Sequence, residues 1–252
     1  MLCYLAKAGS THGFKEAALS FLYKKTSNRG AEKHEVLRIL NILKTLDIKP
    51  KEIPLKLFFS EQENKKIVEL IKQSLSNGEK PLIGIAPGSV WATKRWTVSG
   101  FKRLVLLLEE QGFNVFLIGG PSDKEKCEEI RSNKSVNLAG KLSLSESTCL
   151  ISKLDCIVTN DSSPLHIAGA VNTPTVAIYC ATAPEFGYTP WMVDNEIVEV
   201  KDLDCRPCGR HGGNTCPTRT NFCQNKISSE EVYDACLAIL AKNSKMSNES
   251  IN

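Results

Sequence analysis

Three observations along the chain from Lys80 onward predict an α/β fold built on a parallel sheet. Apolar, β-branched runs of strand length recur, helical stretches alternate with them, and short turns marked by Gly, Pro or Ser join the two. Strands separated by crossover helices pair in parallel, so helices cover both faces of the sheet. In order, the apolar run at 82–86 is a strand, residues 98–111 form a helix, 115–118 a strand and 122–131 a helix. The series continues with strand 136–138, helix 145–154, strand 156–159, helix 165–171 and strand 175–179. Ligands of such sheets bind at the carboxyl ends of the strands.

Residues 1–77 lack this alternation. Segments 16–24 and 32–46 carry helical apolar spacing, the second with Val36, Leu37, Leu40, Leu43 and Leu46 on one broad face. Pro50 and Pro54 mark a turn, and residues 55–59 read as a short strand. Ser60 with Glu63 forms a capping box that opens a helix ending near Asn77 and Gly78. The pattern is a poor recipe for a self-contained core. The domain boundary is therefore expected at residue 77, with a second domain over 78–242 and a mobile polar tail over 243–252.

Composition narrows the function classes. The 252 residues suffice for one large domain or up to two ordinary ones. The net charge of +4 is spread among mixed signs without a basic-aromatic stripe, which argues against nucleic acid as a partner. No run reaches the ~18 apolar residues of a membrane helix. The apolar opening Met1 to Ala6 is too short for a signal-peptide core and has no basic lead-in, so the protein is expected to stay in the cytoplasm. Cys3, Cys127, Cys149, Cys156, Cys180 and Cys236 stand singly in apolar contexts and read as small core residues.

Three turns follow predicted strands: Pro87-Gly88-Ser89, Gly119 to Asp123, and Asp161-Ser162-Ser163. Gly admits close backbone approach and Ser supplies donors, so together they suit one anion-binding crevice, although each alone is an ordinary turn. The third turn opens a helix, whose free N–H groups and dipole favour an anion. Lys94 and Arg95, between Trp91 and Trp96, are either cations that reach a diphosphate or a solvated basic pair. His166, one turn into the helix, is either a phosphate contact or a packed residue, and Asp161 either caps the turn or holds a ligand hydroxyl. Cys205, Cys208, Cys216 and Cys223 cluster and admit three readings: a tetrahedral zinc site, buried thiols, or a redox pair.

Four blocks in this order resemble the bacterial lipopolysaccharide heptosyltransferases of glycosyltransferase family 9, and within it the heptosyltransferase II type. They are Ala86-Pro87-Gly88-Ser89 with Lys94-Arg95-Trp96, Leu117-Ile118-Gly119-Gly120, Asn160 through Ala168, and Thr173 through Ala177. The resemblance implies a GT-B fold of two Rossmann-like domains, in which the carboxyl-terminal one binds a nucleotide-sugar donor. It also implies inverting transfer of heptose from ADP-heptose to a lipopolysaccharide precursor, without a metal or other cofactor, in peripheral contact with the inner face of the inner membrane. By position, Lys94 matches a lysine contacting the donor, Ser89 a donor-side hydroxyl, and Leu142 a residue beside the adenine. Asp161 matches the acid contacting the heptose, while Ser162, Ser163 and His166 match the turn around the diphosphate. Cysteines similar to the clustered four recur in this transferase type without a metal in its chemistry.

Two departures stand out. Ser163 occupies the family's glycine position, and a positive φ there would cost ~1 kcal/mol or more. The family's amino-terminal Gly-rich turn, with the aspartate thought to deprotonate the acceptor, has no match in residues 1–30. The front of the chain instead resembles the last third of that domain. The expectation is thus a donor-binding domain behind the remnant of an acceptor domain, with the catalytic base unknown and supplied by a separately encoded amino-terminal half or a missed upstream segment. A nucleotide-sugar-binding fragment without transferase activity is the alternative. A dinucleotide oxidoreductase fits less well, because no G-x-G-x-x-G opens a helix after the first strand.

Overall fold

The computed structural model describes residues 8–31, 34–75, 78 and 80–249. The chain divides into two compact units, Met1–Ile53 with Glu185–Tyr188, and Pro54–Pro184 with Thr189–Asn252.

The smaller unit has two short parallel strands, β1 (His12–Phe14) and β2 (Lys25–Ser27), and the helix α1 (Glu35–Leu40), which runs into a 3-10 helix at Asn41–Leu46. The helical segment expected over 16–24 is instead a chain of turns with one 3-10 turn at Ser20–Leu22, held between β1 and β2. Three-residue strands show no readable period, and Thr11 fixes the pairing by accepting from Lys24 and Lys25 N–H through its hydroxyl and carbonyl. Among the described residues of this unit, the buried ones are Thr11, Gly13, Ser27, Asn41, Thr45 and Gly187, so hydrogen bonds and ion pairs hold it. His12 Nδ1 lies 2.6 Å from Thr45 Oγ1, Asn41 donates to Arg29 O at 2.7 Å, and Glu35 pairs with Arg29 and Arg38. The expected strand at 55–59 is extended chain without a ladder partner.

The larger unit begins with α2 (Glu61–Ser74), opened by the expected capping box: Ser60 Oγ accepts from Glu63 N–H and the Glu63 carboxylate accepts from Ser60 N–H. Ile67 and Ile71 of α2 are buried, which is why the unit boundary falls between Ile53 and Pro54 and not at residue 77. Alternation then follows through β3 (Leu82–Ala86), α3 (Val98–Glu110), β4 (Asn114–Leu117), α4 (Lys124–Ile130), β5 (Val136–Asn137), α5 (Leu144–Ile151), β6 (Cys156–Asn160), α6 (Ser163–Ala170), β7 (Thr175–Tyr179) and β8 (Asn195–Glu199). A short α7 (Phe222–Asn225) and a long α8 (Ser229–Glu249) complete it. The tail expected to be mobile from residue 243 continues α8 to Glu249, having neither Gly nor Pro to stop it; residues 250–252 lie outside the described residues.

All six strands, β3 to β8, pair in parallel in the order β5-β4-β3-β6-β7-β8. Helices α3, α4 and α8 cover one face, where Phe101, Leu104, Leu108, Ile130, Val232 and Ile239 pack on Ile83, Ile85, Val158 and Val176. Helices α2, α5 and α6 cover the other, where Ile67, Leu150 and Ala168 pack on Phe116, Ile118 and Ile157. Double coverage explains the unbroken apolar strands. The sequence did not show β8, an edge strand reading Asn-Glu-Ile-Val-Glu in which only Val198 is buried. Successive strands are added to one side of β3 through β5 and to the other from β6 on, so the carboxyl ends of β4, β3 and β6 lie side by side at the switch point.

Candidate functional site

Those three adjacent strand ends open into a cleft of about 800 Å3 within the larger unit. Ile118, Leu142, Leu144, Ile151 and Ile167 line it with apolar surface; Ser89, Lys94, Arg95, Ser122, Asp123, Lys126, Asp161, Ser162 and Ser163 line it with polar groups. The structure thus brings together six of the seven residues singled out from sequence. His166 is exposed on α6 and does not line the cleft.

Asp161 follows directly on β6 and is only 5% exposed. Its Oδ2 lies 2.6 Å from Lys94 Nζ and accepts from the Thr182 hydroxyl at 2.7 Å, so the free protein holds the lysine in an almost buried ion pair. Ser162 is the N-cap of α6 in an extended conformation, and its hydroxyl faces Thr159 Oγ1 at 3.4 Å without bonding to the helix. In the first turn of α6, Pro164 has no N–H and Leu165 N–H donates to Ser162 O at 3.1 Å, so the Ser163 N–H and the helix dipole are what the turn offers an anion. Ser163 begins the helix and is not among the residues with positive φ, so the strain expected from replacing the family's glycine does not arise.

The loop that carries Lys94 is fixed from below. Asn160, fully buried at the end of β6, accepts from Trp96 N–H at 2.9 Å and donates to Pro87 O at 2.9 Å, tying down both ends of the loop between β3 and α3. The Trp96 ring packs edge-on against Phe101 at 4.8 Å and donates to Ile227 O. Arg95 donates from Nε to Ser89 O at 2.7 Å, which holds the Ser89 turn. Burial, and then the charge of Arg95, push the Lys126 ammonium pKa down. At the turn after β4, Asp123 accepts from Gly120 N–H at 3.0 Å; its carboxylate lies so near Gly88 that a Cβ there would fall 2.5 Å from Oδ2.

Sequence reasoning missed four supporting residues. Thr182, Arg206 and Gln224 lie far along the chain from the residues they hold, and no local pattern marks them. Gln224 donates to Ala92 O and Arg95 O at 3.0 and 2.6 Å; Arg206 donates to Cys180 O and Thr182 O. Asn160 was visible as a polar residue ending an apolar run, a signal of a buried hydrogen-bonding role. Among the described residues, no group of three or more His, Cys, Asp or Glu is arranged to hold a metal ion. Cys127, Cys149, Cys156, Cys180 and Cys236 are buried, as their apolar contexts suggested, and Cys3 lies outside the described residues. No helix among the described residues is long and apolar enough to cross a membrane.

With that geometry in place, comparison with known proteins is informative. The model of glycosyltransferase family 9 (heptosyltransferase) matches residues 1–216. Lipooligosaccharide heptosyltransferase 2 of Haemophilus influenzae is 36% identical over 164 residues, covering 60% of this chain and 47% of that protein. Its namesake from Campylobacter jejuni is 31% identical over 229 residues, 87% of this chain and 67% of that protein. The solved Escherichia coli ADP-heptose lipopolysaccharide heptosyltransferase II superposes with a TM-score of 0.74 at 24% identity, over 96% of this chain and 73% of that one. The chain thus spans about half the length of the first of these relatives and two thirds of the second. On the family match and the fold together, it belongs to glycosyltransferase family 9, the heptosyltransferases.

Proposed function

We propose that this chain binds ADP-heptose in the cleft and serves transfer of its heptose to the inner core of a lipopolysaccharide precursor, with inversion and without a metal. The observation that carries the reading is the joint placement, in one cleft, of Ser89 and Lys94 from the loop after β3 with Asp161 and the start of α6 after β6. The apolar wall formed by Ile118, Leu142 and Ile151 suits an adenine. The acceptor oxygen attacks the anomeric carbon, the carbon–oxygen bond to the diphosphate breaks, and ADP leaves with the bonding electrons. Lys94 and the positive end of the α6 dipole stabilise the charge that develops on it. Asp161 then contacts the sugar, while a base outside the described site takes the acceptor proton. Acceptor recognition falls to an amino-terminal acceptor domain, partly represented here or encoded separately, acting at the cytoplasmic face of the inner membrane.

Calorimetry with ADP tests the donor half. We expect binding that Lys94→Met weakens at least about tenfold, equivalent to ~1.4 kcal/mol; no heat of ADP binding with the intact chain would overturn the reading. A second reading, donor binding without transfer, rests on the fact that every cleft-lining residue belongs to the larger unit. Product formation from ADP-heptose and a lipid acceptor separates the two.

A further inference from the structure

Past the end of β7 the stretch Cys180-Ala181-Thr182 leaves the sheet ladder yet stays buried. Its carbonyls no longer have strand partners, and each buried one needs a donor from elsewhere. Residues 206 and 208 supply all three. Arg206 donates from Nε to Cys180 O at 2.7 Å and from Nη2 to Thr182 O at 2.7 Å, and Cys208 N–H donates to Ala181 O at 2.9 Å. The same guanidinium donates from Nη1 to Val200 O at 3.1 Å and pairs with Glu199 of β8. Its planar fork, matched by a carboxylate, holds the Thr182 backbone at a fixed place beside the end of β6.

The side chain so placed is 1% exposed, and its hydroxyl donates to Asp161 Oδ2 at 2.7 Å. Lys94 Nζ lies 2.6 Å from that same oxygen. Asp161 N–H donates to Ile178 O at 3.1 Å, so the backbone is anchored and only the side-chain torsions remain to be set. Two donors converge on Oδ2; among the described residues no hydrogen bond or ion pair falls on Oδ1, and Asp161 lines the cleft. The lysine is held independently of Thr182. Thr93 N–H donates to Gly213 O at 3.0 Å, Gly213 N–H donates to Thr93 Oγ1 at 2.8 Å, and Gln224 donates to Ala92 O and Arg95 O. The two donors to Oδ2 also differ in charge. An arriving diphosphate draws the Lys94 ammonium but not a neutral hydroxyl, so Thr182 is the partner that stays and spares the almost buried carboxylate from being orphaned.

We propose that Thr182 is a positioning residue that grips Asp161 by Oδ2 and thereby keeps Oδ1 turned to the cleft, where it accepts a hydroxyl of the donor's sugar. Arg206 sets Thr182 in turn. The role rests on the donor reading, under which Asp161 contacts the sugar and the diphosphate falls to Lys94 and the start of α6. Thr182 then governs the hold on the sugar and not the hold on the diphosphate.

Calorimetry of the intact chain with ADP and with ADP-heptose tests this on Thr182→Val, Thr182→Ala and Thr182→Ser, each checked for folding by circular dichroism. We expect Thr182→Val and Thr182→Ala to weaken ADP-heptose at least about fivefold while ADP stays within about twofold. Thr182→Ser keeps the hydroxyl and should hold both ligands within about twofold of the unaltered chain. In an Asp161→Asn background, Thr182→Val should add less than about twofold, because the threonine acts only through that carboxylate. Equal weakening of both ligands, no rescue by serine, an undiminished loss in the Asp161→Asn background, or unfolding of both Thr182→Val and Thr182→Ala would mark a merely structural threonine and overturn the proposal. Failure of the intact chain to bind ADP counts against the donor reading itself; normal ADP binding with unchanged ADP-heptose affinity in Thr182→Val counts against the positioning role alone.

Discussion

Asn160 shows how one buried side chain sets a site. Its two amide bonds satisfy the Trp96 N–H and the Pro87 carbonyl, both of which lose their partners if the side chain is truncated. Each buried orphan costs about 1–3 kcal/mol, so Asn160→Ala is expected to lower stability by roughly 3 kcal/mol in urea denaturation and to weaken ADP binding, because both ends of the loop that carries Lys94 depend on it. Thr182→Val removes one of two partners of Asp161 Oδ2 and keeps the shape. It should cost about 1–3 kcal/mol and leave the fold intact by circular dichroism. At Cys216 the expected readout is kinetic: alkylation by iodoacetamide should accelerate as pH rises through about 7, since the hydrogen bonds to sulfur favour the thiolate, and Thr218→Val should move that midpoint upward.

At the scale of elements, α6 makes the sharpest case. Ser163 sits in its first turn without positive φ, so restoring the family's glycine relieves no strain. Ser163→Gly should lower stability by up to about 1 kcal/mol through backbone entropy and leave ADP affinity within about twofold. The same helix shows what sequence conveys. Strands β3, β4, β6 and β7 were legible because both faces are buried and the apolar runs are bounded by Pro, Gly and Ser. The capping box of α2 was legible because it is a purely local pattern. The strands β1 and β2 were not, since three residues carry no period, nor was the edge strand β8, whose residues are half polar. Lys94 and Asp161 were identified separately from their own turns, but their ion pair was not, because contact across the cleft depends on strand order. Thr182, Arg206 and Gln224 were illegible for the same reason.

For the molecule as a whole, the two units differ in what holds them. The larger one has apolar packing on both sheet faces, whereas the described buried residues of the smaller one are polar or glycine. Native-state hydrogen exchange should therefore be protected to the global limit in β3, β6 and β7, and proceed orders of magnitude faster in β1 and β2, with openings about 2 kcal/mol or more below that limit. Equal protection of the two would contradict this. The charge arrangement of the free molecule has a further consequence. Because Asp161 already neutralises Lys94, an arriving anion gains only the difference between its own hold on the ammonium and that of the resident carboxylate. Chloride or a simple phosphate monoanion competes poorly on those terms, whereas a diphosphate brings more charge and engages the start of α6 as well. The Lys94–Asp161 pair thus sets a threshold: the cleft discriminates by how many charges a ligand presents before shape is consulted at all.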